Sequence, residues 1–149
     1  MKILGSTAKV HIYKTSRGYN NALRRIFDDH SGEFDNFAGI SWNGHILVNE
    51  EGCDKHEYRA CCVLHHEIGH SLVDQGTIPL EVPDDPNLER EFRQRHPGNS
   101  PPNWAKDDPT EWLHHEIIAT AIEVAKCTCG SLRDRYPNLA AFGDSLIAA

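Results

Sequence analysis

Three features that would place the 149-residue sequence in other classes of protein are missing from it. No apolar run approaches the ~20 residues that a membrane-spanning helix needs, so we expect no membrane association. Residues 1–6 turn polar too soon for a secretory signal peptide, so we expect no export. Lys and Arg form no basic stripe and the net charge is −7, so we expect no nucleic-acid partner.

The cysteines also lack the two-residue gap of the usual zinc and redox pairs. Cys61 and Cys62 are adjacent, Cys127 and Cys129 are one residue apart, and Cys53 makes the total five. We interpret all five as free thiols packed as small hydrophobic side chains, in preference to a second metal site. Together with the missing signal peptide, free thiols predict a cytoplasmic protein.

The length and the 39% hydrophobic content indicate one globular domain over residues 1–149. The apolar pattern of its first third predicts, in order, a strand at 8–13, a helix at 17–30 with Ser16 as N-cap, and antiparallel strands at 37–41 and 45–49. The antiparallel pair is expected because Asn43-Gly44 suits a type I′ hairpin turn.

A longer helix should follow the hairpin directly. Asp54 and Glu57 have the spacing of a capping box, and Gly76 supplies a helix stop after Gln75. The predicted helix therefore runs from Asp54 to about Gln75. Four of its side chains recur at helical spacing and should face the core: Cys61, Leu64, Ile68 and Leu72.

Residues 76–108 are rich in proline and should form a long loop, interrupted by a short helix from Pro86 through Arg95. The arginines at 90, 93 and 95 alternate with Glu89 and Glu91, which we interpret as a solvent-exposed face. A second capping box, Asp108 with Glu111, predicts a helix over 109–127. The tail should form a short helix at 131–135 and a final helix after Pro137.

The central motif is His66-Glu67-Ile68-Gly69-His70, the H-E-x-x-H pattern of zinc hydrolases. Residues four apart share a helix face, so His66 and His70 can direct two imidazoles at one ion. Composition alone would produce such a motif about once in twenty sequences like this one. Its place on a bounded amphipathic helix favours a functional interpretation.

A catalytic zinc takes three protein ligands and keeps one position open for water. The candidates for the third ligand are Glu116, His115, His114 and His96. Glu116 is favoured because Thr120, four residues on, could support its carboxylate, and His115 is second. His96 follows the predicted short helix, where nothing in the sequence fixes its backbone.

These motifs resemble the ImmA/IrrE-type bacterial and phage zinc metallopeptidases. The similarity lies in residues 66–72 after the short strand 46–49, and in Glu116 with Ala119 three residues on. It implies an α+β, minimal zincin-like domain, in which a small antiparallel or mixed sheet packs on the motif helix and on a second ligand-bearing helix. Departures from the family pattern are the long proline-rich insert and Thr120, where related families place Asn or Asp.

The function expected from this pattern is zinc-dependent hydrolysis of peptide bonds in a peptide or protein substrate. Zn²⁺ would be held by His66, His70 and Glu116, with Glu67 as general base toward a metal-activated water. His115 or His114 could donate to the developing oxyanion. The alternative is a zincin-fold binding or regulatory protein without peptidase activity. The sequence leaves the substrate and the oligomeric state open.

Overall fold

The β part of this α+β fold is a small mixed sheet. In the computed structural model, which describes residues 5–148, its strands are β1 (Lys9–Tyr13), β2 (Gly39–Trp42) and β3 (His45–Asn49). Their order is β1-β3-β2, with β1 parallel and β2 antiparallel to the central strand. The predicted fold class and the predicted antiparallel or mixed sheet are confirmed at this level.

The hairpin between β2 and β3 has the turn that the sequence predicts. Asn43 and Gly44 have positive φ angles of 53° and 78°, as a type I′ turn requires at both central residues. Trp42 pairs with His45 on either side of this turn. The first strand of the pair begins at Gly39, two residues later than expected.

Helices make up most of the remaining structure. They are α1 (Ser16–Phe27), α2 (Glu50–Lys55), α3 (Ala60–Asp74), α4 (Pro86–Arg95), α5 (Pro109–Lys126), α6 (Leu132–Arg135) and α7 (Pro137–Ala148), with a 3₁₀ turn at Asn103–Ala105. Within residues 5–148, no helix is long and apolar enough to cross a membrane.

The first helix begins and ends earlier than predicted. Thr15, and not Ser16, is the N-cap, because its hydroxyl accepts from the Gly18 N–H at 3.1 Å. The helix ends at Phe27 because Asp28 adopts a left-handed conformation with φ 53°. The predicted end at residue 30 is therefore wrong.

The predicted capping box at Asp54 is also wrong, because residue 54 lies inside α2. Glu57 has φ 60° and interrupts the chain before α3. Its N–H donates to the Asp54 carbonyl at 3.1 Å, and the Tyr58 N–H donates to the Cys53 carbonyl at 2.8 Å. This bond pattern is a Schellman motif. It ends one helix where the sequence predicted the start of another.

The sheet lies between α1 and the pair formed by α3 and α5. Leu47 points from β3 toward the first helix, where it packs with Tyr19 and Leu23. Ile46 and Val48 point to the opposite face and join the main core. That core includes the apolar side chains Val63, Ile68, Leu72, Ile118 and Ile122 of the helix pair. The sheet therefore packs directly on α3, which carries the motif histidines, and shares one core with α5.

Close contact between α3 and α5 depends on Gly69. A Cβ built at this position would lie 2.7 Å from the Cα of Ala119, closer than real carbon contacts. The glycine inside the H-E-x-x-H motif thus sets the separation of the two helices. The predicted inward face of α3 is partly wrong, since Cys61 is exposed and the adjacent Cys62 is buried.

The predicted short helix in the proline-rich segment is confirmed as α4, but its charged residues are not all exposed. Glu91 is 2% exposed and accepts from the backbone N–H groups of Asn138 and Leu139, each at 3.0 Å. It thereby caps the first turn of α7. Arg95 is also buried, with its side chain 12% exposed. The interpretation of a fully solvated face is therefore wrong for these two residues.

Candidate metal centre

One face of α3 carries the two motif histidines. His66 and His70 lie one turn apart, with their rings 5.0 Å from each other. Their side chains are 12% and 16% exposed, so both imidazoles lie largely out of solvent. The backbone hydrogen bonds of α3 fix the main chain of both residues. The packing of α3 on the sheet and on α5 limits how far either ring can move.

The second helix of the pair brings Glu116 to these imidazoles. One carboxylate oxygen lies 3.2 Å from the Nε2 of His66, and the other lies 3.2 Å from the Nε2 of His70. Tetrahedral ligands at zinc–nitrogen distances of about 2.05 Å are separated by roughly 3.3 Å. The spacing of the three side chains therefore fits a single small divalent cation.

Glu67 lies beside this group, on the side of α3 that faces β2. A Cβ built at Gly39 would come 3.3 Å from its Cγ, so the strand passes closely over the side chain. Glu67 is 8% exposed, and within residues 5–148 no hydrogen bond engages its carboxylate. Burial raises the pKa of Glu67 above its ordinary value, although the nearby histidines oppose the rise.

A second carboxylate from α5, Glu123, holds His66 from behind. Its Oε1 accepts from the Nδ1 of His66 at 3.0 Å, which leaves the Nε2 of that ring directed at Glu116. A carboxylate in this position fixes the tautomer and orientation of a metal-binding histidine. The side chain is 1% exposed, so the support is fully inside the protein.

Glu123 also pairs with Arg95 and His96 from the end of α4. Arg95 donates to Oε2 from Nε at 2.8 Å and from a terminal nitrogen at 2.6 Å. The Nε2 of His96 lies 3.0 Å from Oε1, and its Nδ1 lies 2.9 Å from the Tyr58 hydroxyl. The fixed positive charge of Arg95 disfavours a cation here, although His66, His96 and Glu123 are also close enough to chelate one.

The charges of the cluster follow from these contacts. Burial alone would raise the pKa of Glu116, but His70 and His66 hold it well below its ordinary value. Hydrogen bonds from His66 and His96 likewise hold the pKa of Glu123 low against the effect of burial. Burial opposes protonation of His66, yet the two carboxylates raise its pKa well above the ordinary value. Both glutamates are therefore charged at neutral pH.

The structure separates Glu116 from the other candidates for the third ligand. The ring of His115 lies 6.0 Å from that of His70, and His114 belongs to none of the chelating groups formed within residues 5–148. His96 is occupied by Glu123 and Tyr58. Of the four candidates, Glu116 alone joins both motif histidines in a chelating group.

Other expectations for polar residues near the motifs need correction. Thr120 donates its hydroxyl proton to the main-chain carbonyl of Glu116 at 2.7 Å, so it does not support the carboxylate as predicted. Asn99, in the proline-rich segment, donates to the Oε2 of Glu116 at 3.3 Å.

Sequence reasoning missed the roles of Glu123, Arg95 and Tyr58. The spacing of Glu123, seven residues after Glu116, places both on one helix face and would have identified it. No comparable pattern marks Arg95 or Tyr58, because they reach the site from separate segments. Comparisons of the chain with models of protein families, with curated proteins and with solved structures found no match.

Proposed function

We propose that this protein is a zinc-dependent peptidase with a zincin-like arrangement of its site. The observation that carries the proposal is the position of the Glu116 carboxylate, whose two oxygens each lie 3.2 Å from the Nε2 of a motif histidine. Two helices far apart in sequence thus converge on one set of imidazole and carboxylate donors. Two His and one carboxylate form a familiar ligand set of catalytic zinc.

The chemistry of these donors fits zinc better than other common cations. Imidazole nitrogens suit zinc and its neighbours in the transition series, whereas calcium and magnesium prefer oxygen ligands alone. Three donors leave one position of a tetrahedron open, as a catalytic site requires. His66, His70 and Glu116 would hold the ion, and Glu123 would orient His66.

The reaction would be hydrolysis of a peptide bond by water. Bound zinc supplies Lewis acidity, which acidifies water and polarises a carbonyl. Glu67, the neighbour of the first histidine, would take a proton from the attacking water and return it to the leaving amine. The pKa of Glu67 is raised, which supports this role. A group that first accepts a proton and then donates it works best when its pKa lies near the working pH.

His115 is the favoured donor to the oxyanion that forms on the attacked carbonyl. Burial and the proximity of His70 lower its pKa, so the ring is neutral at neutral pH and keeps one N–H to donate. Its position next to His70 and outside the ligand group suits a contact with substrate. Preorganised donors of this kind stabilise transition states of acyl transfer.

An extended peptide could approach along β2. This strand is at the edge of the sheet and lies over Val63 and Glu67 of α3. A peptide that adds a strand to such an edge gains main-chain hydrogen bonds without a fixed sequence. Exposed Trp42 at the end of β2 and Phe37 before it offer apolar contacts to side chains of the peptide. We also propose a cytoplasmic location, supported by the absence of any disulfide among the five cysteines, all of which lie within the described residues.

The test uses two variants of the full chain with different expected defects. Glu67→Gln should abolish turnover and keep zinc, because only the proton acceptor is lost. His66→Ala should lose both zinc and turnover. Cleavage of a proteome-derived peptide library, read by mass spectrometry, gives turnover, and elemental analysis of untagged protein gives zinc. The exposed Glu81→Gln variant is the matched control and should behave as wild type.

Three results would contradict the proposal. Normal cleavage by the Glu67→Gln variant would exclude the mechanism. Zinc binding by the wild type without cleavage of any library member would favour the alternative, a zincin-fold binding or regulatory protein. If protein purified with zinc in all buffers contains no zinc, both the peptidase and the zinc-binding alternative are excluded.

A further inference from the structure

A second group of metal donors lies at the other end of the α3–α5 pair. Cys61 and Cys62 are in the first turn of α3, and Cys127 and Cys129 directly follow α5. The four sulfur atoms all lie within 4.8 Å of one another. The Sγ of Cys61 is 2.7 Å from that of Cys129 and 3.5 Å from that of Cys127.

Hydrophobic packing does not explain the position of every member of this group. Cys62 and Cys127 are 2% and 4% exposed and belong to the core around α4, α5 and α7. Cys129 is partly buried and packs against that core, whereas Cys61 is exposed and gains little from burial as a small apolar side chain. Their sulfurs nevertheless meet the buried pair at one point. The interpretation of all five cysteines as packing residues therefore fails for Cys61.

The spacing suits one tetrahedral metal ion. Zinc binds thiolates at about 2.3 Å, so two sulfurs of a tetrahedral site are separated by roughly 3.8 Å. The four sulfurs lie within 4.8 Å of one another, and the two separations from Cys61, 2.7 and 3.5 Å, are both shorter than that value. Cys61 is exposed and Cys129 partly exposed, so these are the side chains that would move apart to hold an ion.

The ends of the two helices present favourable partial charges to thiolates and to a cation at this place. Helix α3 begins after Arg59 without a side-chain cap, so its first turn presents a partial positive charge to the sulfurs of Cys61 and Cys62. Helix α5 ends beside the same point and presents its partial negative charge to a cation.

We propose that Cys61, Cys62, Cys127 and Cys129 form a structural zinc site that joins the start of α3 to the end of α5. Four thiols lose their protons to solvent as four zinc–sulfur bonds form, and no position remains open for a substrate. The site clamps together the helices that carry the candidate peptidase ligands. It stands independently of the proposed function, because it shares no residue with the histidine site.

Metal content and spectrum of the full, untagged chain test the proposal. With both sites filled, elemental analysis should give two zinc ions per wild-type chain, and one in the Cys61→Ser, Cys129→Ser double variant. Cys53→Ala, which removes the fifth cysteine, is the matched control and should keep two. Replacement of zinc by Co²⁺ should give an intense thiolate-to-metal charge-transfer band in wild type and in the control, and none in the double variant.

The outcomes separate this proposal from the peptidase proposal. If the histidine site binds no metal, the wild type should hold one zinc, the double variant none, and the charge-transfer band should remain. If the wild type shows no such band, or an intact mass lower by two hydrogens because two cysteines have formed a disulfide, the thiolate site is overturned. Equal zinc content in wild type and in the double variant would overturn it as well. The cobalt spectrum of the wild type applies even if the double variant fails to fold.

Discussion

Replacement of Glu123 by Gln tests the buried support behind the proposed zinc site. The change keeps the shape of the side chain and removes its charge. In the wild type this carboxylate receives two hydrogen bonds from Arg95 and contacts the rings of His66 and His96. The amide keeps one oxygen as an acceptor but leaves the guanidinium of Arg95 buried without a counter-charge.

Two magnitudes follow from this loss. Removal of one partner of a buried ion pair costs about 3–5 kcal/mol. We expect about 3 kcal/mol less free energy of unfolding, the lower end of that range, because the amide oxygen still accepts a hydrogen bond from Arg95. Loss of the carboxylate behind a metal-binding histidine weakens metal affinity by about 10- to 100-fold, and we expect a decrease in zinc affinity within this range.

The assay separates the two effects. Urea denaturation in the presence of a chelator gives the stability of the metal-free protein, and competition with a chromophoric chelator gives zinc affinity. Glu111→Gln, an exposed carboxylate on the same helix, is the control and should change the unfolding free energy by less than about 0.5 kcal/mol. If the Glu123→Gln variant matches wild type in both assays, the role assigned to this residue is refuted.

Two further predictions concern the helix pair and the charges of the site. Gly69→Ala should lower the free energy of unfolding by about 2 kcal/mol, measured by urea denaturation, because the added methyl overlaps the backbone of Ala119; unchanged stability would contradict the close approach. Without metal, His66 should stabilise the protein fully below pH 6.5, and this contribution should be lost as pH rises through its raised pKa. Glu116 should contribute above pH 4.5, with loss as pH falls through its lowered pKa. Urea denaturation with a chelator from pH 4 to 9 measures the loss of stability at high pH and the loss at low pH. The exposed His30→Gln variant is the control. A stability–pH profile of His66→Gln identical to that of wild type would contradict the assignment.

Local patterns predicted the elements whose cause is local. The Asn43-Gly44 turn, the helix that starts after Asp108 and the short helix that begins at Pro86 all depend on nearby backbone conformation. The H-E-x-x-H spacing identified His66 and His70 as neighbours on one helix face for the same reason.

The errors arose where tertiary contacts outweigh local preference. Asp54 and Glu57 have the residue types and the spacing of a capping box. The turn there instead ends α2, with Glu57 at positive φ. Such a conformation costs about 1–2 kcal/mol locally, so the packing on both sides of the turn must offset it. The charge of Arg95 and Glu91 predicted exposure of both side chains. That prediction failed because their partners, Glu123 and Asn138, lie 28 and 47 residues away in the sequence.

The central claim is that α3 and α5 bring His66, His70 and Glu116 to a single zinc ion. A crystal structure of the zinc-loaded protein, with anomalous scattering at the zinc edge, tests it most directly. We expect an anomalous peak about 2.0–2.2 Å from the Nε2 atoms of both histidines and from one oxygen of Glu116. A peak coordinated instead by His96 and Glu123, or no peak near the two motif histidines, would contradict it.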